Sequence, residues 1–433
     1  MSRYTTIFLI VITAILISLL FYQIPIDFKK KQSDVSKIYF ADNMTAAHVK
    51  MIKNFNQQYK GKIEVVPIHL PFEKFTTNER KELIARSLRN KNSKIDIFTV
   101  DCISVSRFAK WAESLKPYLS IAERKEILPE ALRAEDQANQ WVSIPLHVDI
   151  GVMFYRKDFV NSIDPSGNLE KRILNSITWE ELISLKNDNP LYLFQGYNYE
   201  GLICNCMELT GSKDVTIIDT YFDNLTNPAV IQSCEFLYDL IYKHKIVPRE
   251  SIGYDESAVY AHAISENIPF FRGWPGFLRE IDNYDGGSEL KDKIGIAPVP
   301  HFHGKNKTSV FGGWNLMLSK NSKHKKESVL FLKYILSDEA QKILFQEAGY
   351  LPIKPDLYQD EELLEDFPYL TTIREMMKNG IYRPFIPNYT VKSDFVSNAI
   401  NSSLKQEISV EDALKKATNK IKELENSKYG AHK

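Results

Sequence analysis

Two carboxylates and two indoles stand where this chain could grip a small molecule. Asp101 closes the apolar run Ile95-Asp96-Ile97-Phe98-Thr99-Val100, and Asp149 interrupts another, from Val148 to Tyr155. A carboxylate in an apolar strand costs free energy unless it is paired or hydrogen bonded, so Asp149 is an ion-pair partner or a contact in a cleft. Asp101 reads equally well as the N-cap of the helical stretch Val105 to Ala112. Trp274 lies between Gly273 and Pro275, and Trp314 follows Gly312 and Gly313. Such turns let a large ring project from a loop, or pack beneath it. Tyr197-Asn198-Tyr199 adds a polar, aromatic cluster after the strand-like run Leu191 to Gly196. Carboxylate acceptors make the stronger, charge-assisted hydrogen bonds, and flat rings cover C–H patches, so together they suit an uncharged ligand rich in hydroxyls. The catalytic alternative uses Asp149 and Glu200 as the paired carboxylates of a glycoside hydrolase.

Composition narrows the class further. The chain has 433 residues, which favours two domains over one core. Its 55 basic and 55 acidic residues balance, leaving no long-range field to steer nucleic acid or another polyanion. At 44% hydrophobic and 25% charged it reads as globular. Cys102, Cys204, Cys206 and Cys234 have no zinc-site spacing, and a bridge between Cys204 and Cys206 would be strained, so buried or idle thiols are expected and no metal or other cofactor.

The elements that must position these side chains alternate. Lys37 to Phe40 reads as a strand, then Val49, Ile52, Phe55 and Tyr59 recur at helical spacing. Ile63 to Ile68 is a strand, Glu73 to Leu88 a helix, and the run that Asp101 closes a further strand. This is a βαβ pattern, implying a mostly parallel sheet under helices, with ligands beyond the carboxyl ends of its strands. Further along, Thr178 and Glu181 form a capping box, Ile294 to Pro298 reads as a strand, and Val329, Leu332, Ile335, Ile343 and Leu344 trace an amphipathic helix with a kink near Ser337. Ser409 and Asp412 open the last long helix.

At the other end of the chain, Ile7 to Tyr22 carries only Thr13 and Ser18 as polar side chains, and Ile24 to Ile26 extends the run to a membrane-spanning length. No small-residue cleavage site and no lipid-anchor Cys follows, so an uncleaved anchor over 1–26 and a tether over 27–36 are expected. Lys29, Lys30 and Lys31 by themselves favour a cytoplasmic body.

Seven landmarks appear in order: Ile95 to Asp101; Ile144 to Gly151 with Tyr155 to Asp158; Thr178 to Leu182; Tyr199 to Leu202; Gly273-Trp274-Pro275; Gly312-Gly313-Trp314; and Gly349-Tyr350-Leu351-Pro352. In this the chain resembles the extracellular solute-binding proteins that supply sugars to ATP-driven importers, most closely the trehalose/maltose-type branch. The resemblance implies an α/β, two-lobed periplasmic-binding-protein fold of type II, with strands crossing at a hinge near His147 to Ile150, Ile294 to Pro298 and Ile335 to Glu339. Lobe 1 would comprise 37–147 plus 299–336, and lobe 2 148–298 plus 337–433. It implies Asp101 and Asp149 as acceptors of sugar hydroxyls, Trp274 and Trp314 as stacking rings, and Gly313 beside them. Tyr197, Tyr199, Arg383 and Tyr389 fall in stretches that contribute contacts. His147 stands where relatives often carry Tyr, which alters the hydroxyl pattern recognised. The resemblance also implies a monomeric, extracytoplasmic protein that binds a carbohydrate without a cofactor, meets an importer's permease subunits and is held to the membrane by its N-terminal helix. A membrane-bound sugar sensor is the alternative role.

Overall fold

Apolar runs at period two, separated by helical spacing, give two sheets, each under its own helices. The computed structural model describes Thr13 and residues 35–430, apart from 72, 73, 76, 91, 92 and 138–140. The expected membrane span over 1–26, Thr13 apart, and most of the 27–36 tether lie outside the described residues; within them no helix is long and apolar enough to cross a membrane.

The first sheet holds β1 (Ser36–Asp42), β2 (Ile63–His69), β3 (Ile97–Asp101), β4 (Ile144–Ile150), β9 (Ser309–Leu318) and β10 (Gly380–Ile381). The second holds β5 (Val152–Arg156), β6 (Tyr192–Leu193), β7 (Phe270–Gly273) and β8 (Ile294–Ala297). β1 pairs in parallel with both β2 and β3, as the βαβ pattern requires. The parallel expectation fails elsewhere: β9 runs antiparallel to β3 and β4, and β5 runs antiparallel to β7 and β8. The reason is topological, since β9 enters the first sheet from the second lobe and runs back along strands already laid down.

The helices used below, in chain order, are α1 (Ala46–Gln58), α2 (Thr77–Arg89), α3 (Pro129–Gln137), α4 (Trp179–Ser184), α5 (Glu200–Lys213), α6 (Pro228–Tyr242), α7 (Lys325–Ile335), α8 (Asp338–Ala348), α9 (Tyr389–Leu404) and α10 (Val410–Gly430). Three of their boundaries follow from local chemistry. Thr178 Oγ1 accepts the Glu181 N–H while Glu181 accepts the Thr178 N–H, the reciprocal box expected before α4. Ser409 Oγ accepts the Asp412 N–H at 3.2 Å, starting α10. The kink expected near Ser337 is a full break, because Ser337 Oγ caps α8 by accepting the Ala340 N–H at 3.3 Å and so ends α7 before it.

Phe40, Phe55 and Phe331 bind α1 and α7 to the first sheet, with the Phe55 and Phe331 rings edge to face at 4.9 Å. Met153, Leu202, Met207, Tyr221, Leu237 and Val396 build a separate core under the second sheet with α5, α6 and α9. All four cysteines are free; Cys204, Cys206 and Cys234 are buried there, and burial pushes the Cys204 thiol up to about 12.

The strand expected over Val148 to Tyr155 is cut in two at Gly151, whose flanking residues belong to different sheets. That is the first crossing, one residue past the expected stretch. The return crossing lies between β8 and β9, over residues 298–308. α8 packs on α1, so the chain is still on the first lobe beyond the boundary expected at 336, and α9 and α10 then pack on α5 and α6 of the second.

Candidate functional site

Strand register brings distant residues into one row. Asp101 and His147 both stand opposite Trp314, from β3 and β4 on its two sides, and Asp149 stands opposite Gly312. Because opposed residues in a sheet share a face, Asp101, Trp314, His147 and Asp149 occupy one surface of the first sheet at the mouth of the crossing. Trp274 reaches this surface from the second lobe, just after β7. A Cβ on Gly312 would stand 3.1 Å from its Cζ3 and 3.3 Å from the Asp149 Cβ, so the missing side chain is where the ring meets the strand. Gly313 has φ 127° and leaves no room for a Cβ, which would come within 2.6 Å of the His147 carbonyl oxygen.

Each indole lies on an arginine. The Arg272 guanidinium sits 4.1 Å from the centre of the Trp274 ring, and that of Arg80 4.5 Å from Trp314. Both arginines are buried and each has a buried carboxylate: Glu208 for Arg272 at 2.9 Å, and Asp42 for Arg80 at 2.9 Å. Burial works against Asp42 being charged, but His48 and Arg80 together hold its carboxyl at about 2. The Trp274 backbone N–H donates to the Tyr260 hydroxyl at 2.9 Å, and its indole N–H to Glu256 at 3.2 Å. Burial and the neighbouring Glu256 raise the pKa of the Tyr199 phenol, placing Tyr199 in the same corner. Tyr197 is half exposed, its ring 5.9 Å from that of Tyr199.

The two carboxylates have opposite surroundings. Asp101 receives both Nη1 and Nη2 of Arg383, at 3.1 and 2.8 Å, and caps the next turn by accepting the Ile103 N–H at 3.3 Å. Cap and charged partner are therefore both real. Burial would raise its pKa, but Arg383 more than offsets this and keeps it below the usual range. Arg383 Nη1 also donates to Glu200 at 3.0 Å, and Glu200 accepts from Tyr389 and Ser393, so Arg383 and Tyr389 join the row through Glu200. That ion pair occupies the Glu200 carboxylate proposed for the hydrolase. Asp149 accepts the Ile150 N–H at 3.0 Å, and burial pushes its carboxyl up to about 7. His147 stacks on Tyr350 with ring centres 4.1 Å apart, and burial pushes it down to about 3, so it is neutral near pH 7.

Asp149 gives a signed prediction. A carboxyl whose pKa is raised from 3.8 to about 7 binds more protons folded than unfolded between those values, so its contribution to stability falls as pH rises from about 4 to 7 and is level above. The melting temperature of the wild type minus that of Asp149→Asn should follow that course. A difference constant across the range would show an ordinary Asp149.

A carboxylate row, two arginine-backed indoles and a strand crossing between two lobes thus meet in one place. Residues 41–342 match the family model of the bacterial extracellular solute-binding proteins, and the chain belongs to that family. Its members are binders working outside the cytoplasm, which sets the hydrolase aside. Among relatives, the "Probable ABC transporter-binding protein" of Deinococcus radiodurans is 26% identical over 78% of this chain and 82% of its own length. The arabinooligosaccharide-binding protein of Halalkalibacterium halodurans is 22% identical over 86% and 84%. Maltose-bound MalE3 of T. maritima superposes with a TM-score of 0.80 at 27% identity, covering 90% of this chain and all 100% of its own.

Residues that sequence reasoning passed over, Asp42, Arg80, Glu208, Arg272 and Glu256, form the layer beneath the indoles. Arg272 carried a visible signal, a charge inside the apolar run Phe270-Phe271-Arg272, the same one that marks Asp149. Arg80 carried none, since the stretch around it in α2 is rich in charged residues and nothing in the sequence says that this one is buried.

Proposed function

We propose that this protein captures a neutral carbohydrate, a di- or oligosaccharide, between its lobes and hands it to the permease of an ABC importer, with its N-terminal segment as the membrane anchor. The single observation that carries the reading is Trp274 of the second lobe reaching Gly312 of the first, the residue that stands opposite Asp149. A carboxylate that accepts hydroxyls then stands near a ring that covers a sugar's C–H face, the one from the first lobe and the other from the second. Closing the hinge is stabilised by contacts made only in the closed form, which is the form an importer can read. The sugars held by the relatives point the same way: arabinooligosaccharides, maltose and, in a Listeria monocytogenes protein of the same fold, cycloalternan.

The test is a thermal-shift screen of the soluble body against maltose, trehalose and longer oligosaccharides. A sugar at 1,000-fold excess over its Kd should add about 4 kcal/mol of stability and be recovered intact. Sugar-independent melting across the screen, or release of hydrolysis products, would overturn the reading.

A further inference from the structure

The geometry points to Glu208 and Arg272 as a positioning couple that ties the strand crossing to the Trp274 indole, so that hinge and binding face move as one unit. Neither residue is among the groups proposed to touch ligand; the inference rests on the proposed cleft for its binding arm alone.

Glu208 sits on α5, two turns beyond Glu200, and faces both crossings at once. Its Oε1 accepts the Val310 N–H at 3.2 Å, at the start of the return strand. A Cβ on Gly151, at the outward crossing, would fall 2.0 Å from that same oxygen, so the carboxylate lies directly against the glycine backbone. The two crossings are bonded to each other by the Gly151 N–H donating to the Val310 carbonyl at 3.0 Å. Thr308 Oγ1 closes the bracket by donating to the Glu208 carbonyl at 2.9 Å.

From this bracket the link runs outward through Arg272. Nη2 donates to Oε1 at 2.9 Å and Nε to Oε2 at 3.3 Å, a fork that fixes the guanidinium plane. Nη1 is buried and has no acceptor among the described residues, while the guanidinium carbon stands 4.1 Å from the Trp274 ring centre. The indole face takes the place of the third hydrogen-bond partner. A rotation that shifts Val310 against α5 must move Glu208, then Arg272, then the ring; conversely a ligand that settles on the ring holds the crossing in place.

Glu208→Gln and Arg272→Lys test this, the first keeping shape without charge and the second charge without the fork. Trp274 emission is isolated in each background as the difference from the same chain carrying Trp274→Phe. Without any sugar, both variants should shift that emission to longer wavelength and lower its anisotropy, and sugar affinity should fall about ten-fold, the scale of one lost cation–π contact. Because the emission arm needs no ligand, it fails or succeeds apart from the carbohydrate reading. Folded variants with unchanged Trp274 emission overturn the couple. Should neither variant fold, amide exchange in the wild type decides: Val310 must exchange as slowly as its strand neighbours, and fast exchange there overturns it.

Discussion

Replacing Trp274 with Ala should weaken sugar binding by roughly 30- to 700-fold, the equivalent of about 2–4 kcal/mol for a central buried Trp. The expectation comes from what the ring alone brings together. Its edge meets Gly312 of the first lobe, the residue opposite Asp149, its face rests on Arg272, and its N–H is anchored on Glu256. Truncation removes the stacking surface, uncovers a buried guanidinium and takes the indole donor away from Glu256. Trp274→Phe divides these effects, since it keeps a flat face but loses the N–H and the outer ring atoms that reach Gly312; its affinity should fall between those of the wild type and the Ala variant. Titration calorimetry with the best sugar from the screen measures both. An Ala variant binding within two- or three-fold of wild type would remove the ring from the site, and with it the idea that the second lobe contributes an aromatic face.

How much of this was legible beforehand differs by element. The βαβ start was plain, because β1, β2 and β3 are largely apolar runs of strand length separated by helices with one apolar face. The gathering of Asp101, His147, Asp149 and Trp314 was not readable from spacing, because β9 pairs antiparallel with strands more than 160 residues earlier, and register is a property of the folded sheet. What marked these residues was local conflict: a carboxylate in an apolar strand, or a ring beside glycine. Such conflict flags a site without saying which partner resolves it. Asp101 shows the limit, since its resolution is Arg383, 282 positions away. In the sequence Gly151 looks like one position in a continuous strand, because the residues on either side are equally apolar; only the pairing partners show that Ile150 and Val152 belong to different sheets.

Gly151→Ala should be among the most damaging single-methyl additions in the chain, costing about 3–5 kcal/mol, the scale of disrupting a buried ion pair. The new Cβ would lie 2.0 Å from Glu208 Oε1 and 2.7 Å from Arg272 Nη2. Neither group can retreat cheaply: Oε1 is held by both Arg272 and the Val310 N–H, and Arg272 is fully buried against Trp274. The backbone cannot yield either, since the Gly151 N–H is bonded to Val310 across the crossing. Gly253→Ala is the control, because a Cβ there meets nothing within 4 Å. Unfolding of both variants in urea gives the comparison, and Glu208→Asp supplies the decisive arm. Its shorter side chain withdraws the oxygen from the methyl, so its cost and that of Gly151→Ala should be less than additive when combined. Strict additivity would mean that the clash is relieved elsewhere and that the carboxylate does not brace the crossing; strong coupling would fix the oxygen, the glycine and the return strand as one mechanical joint.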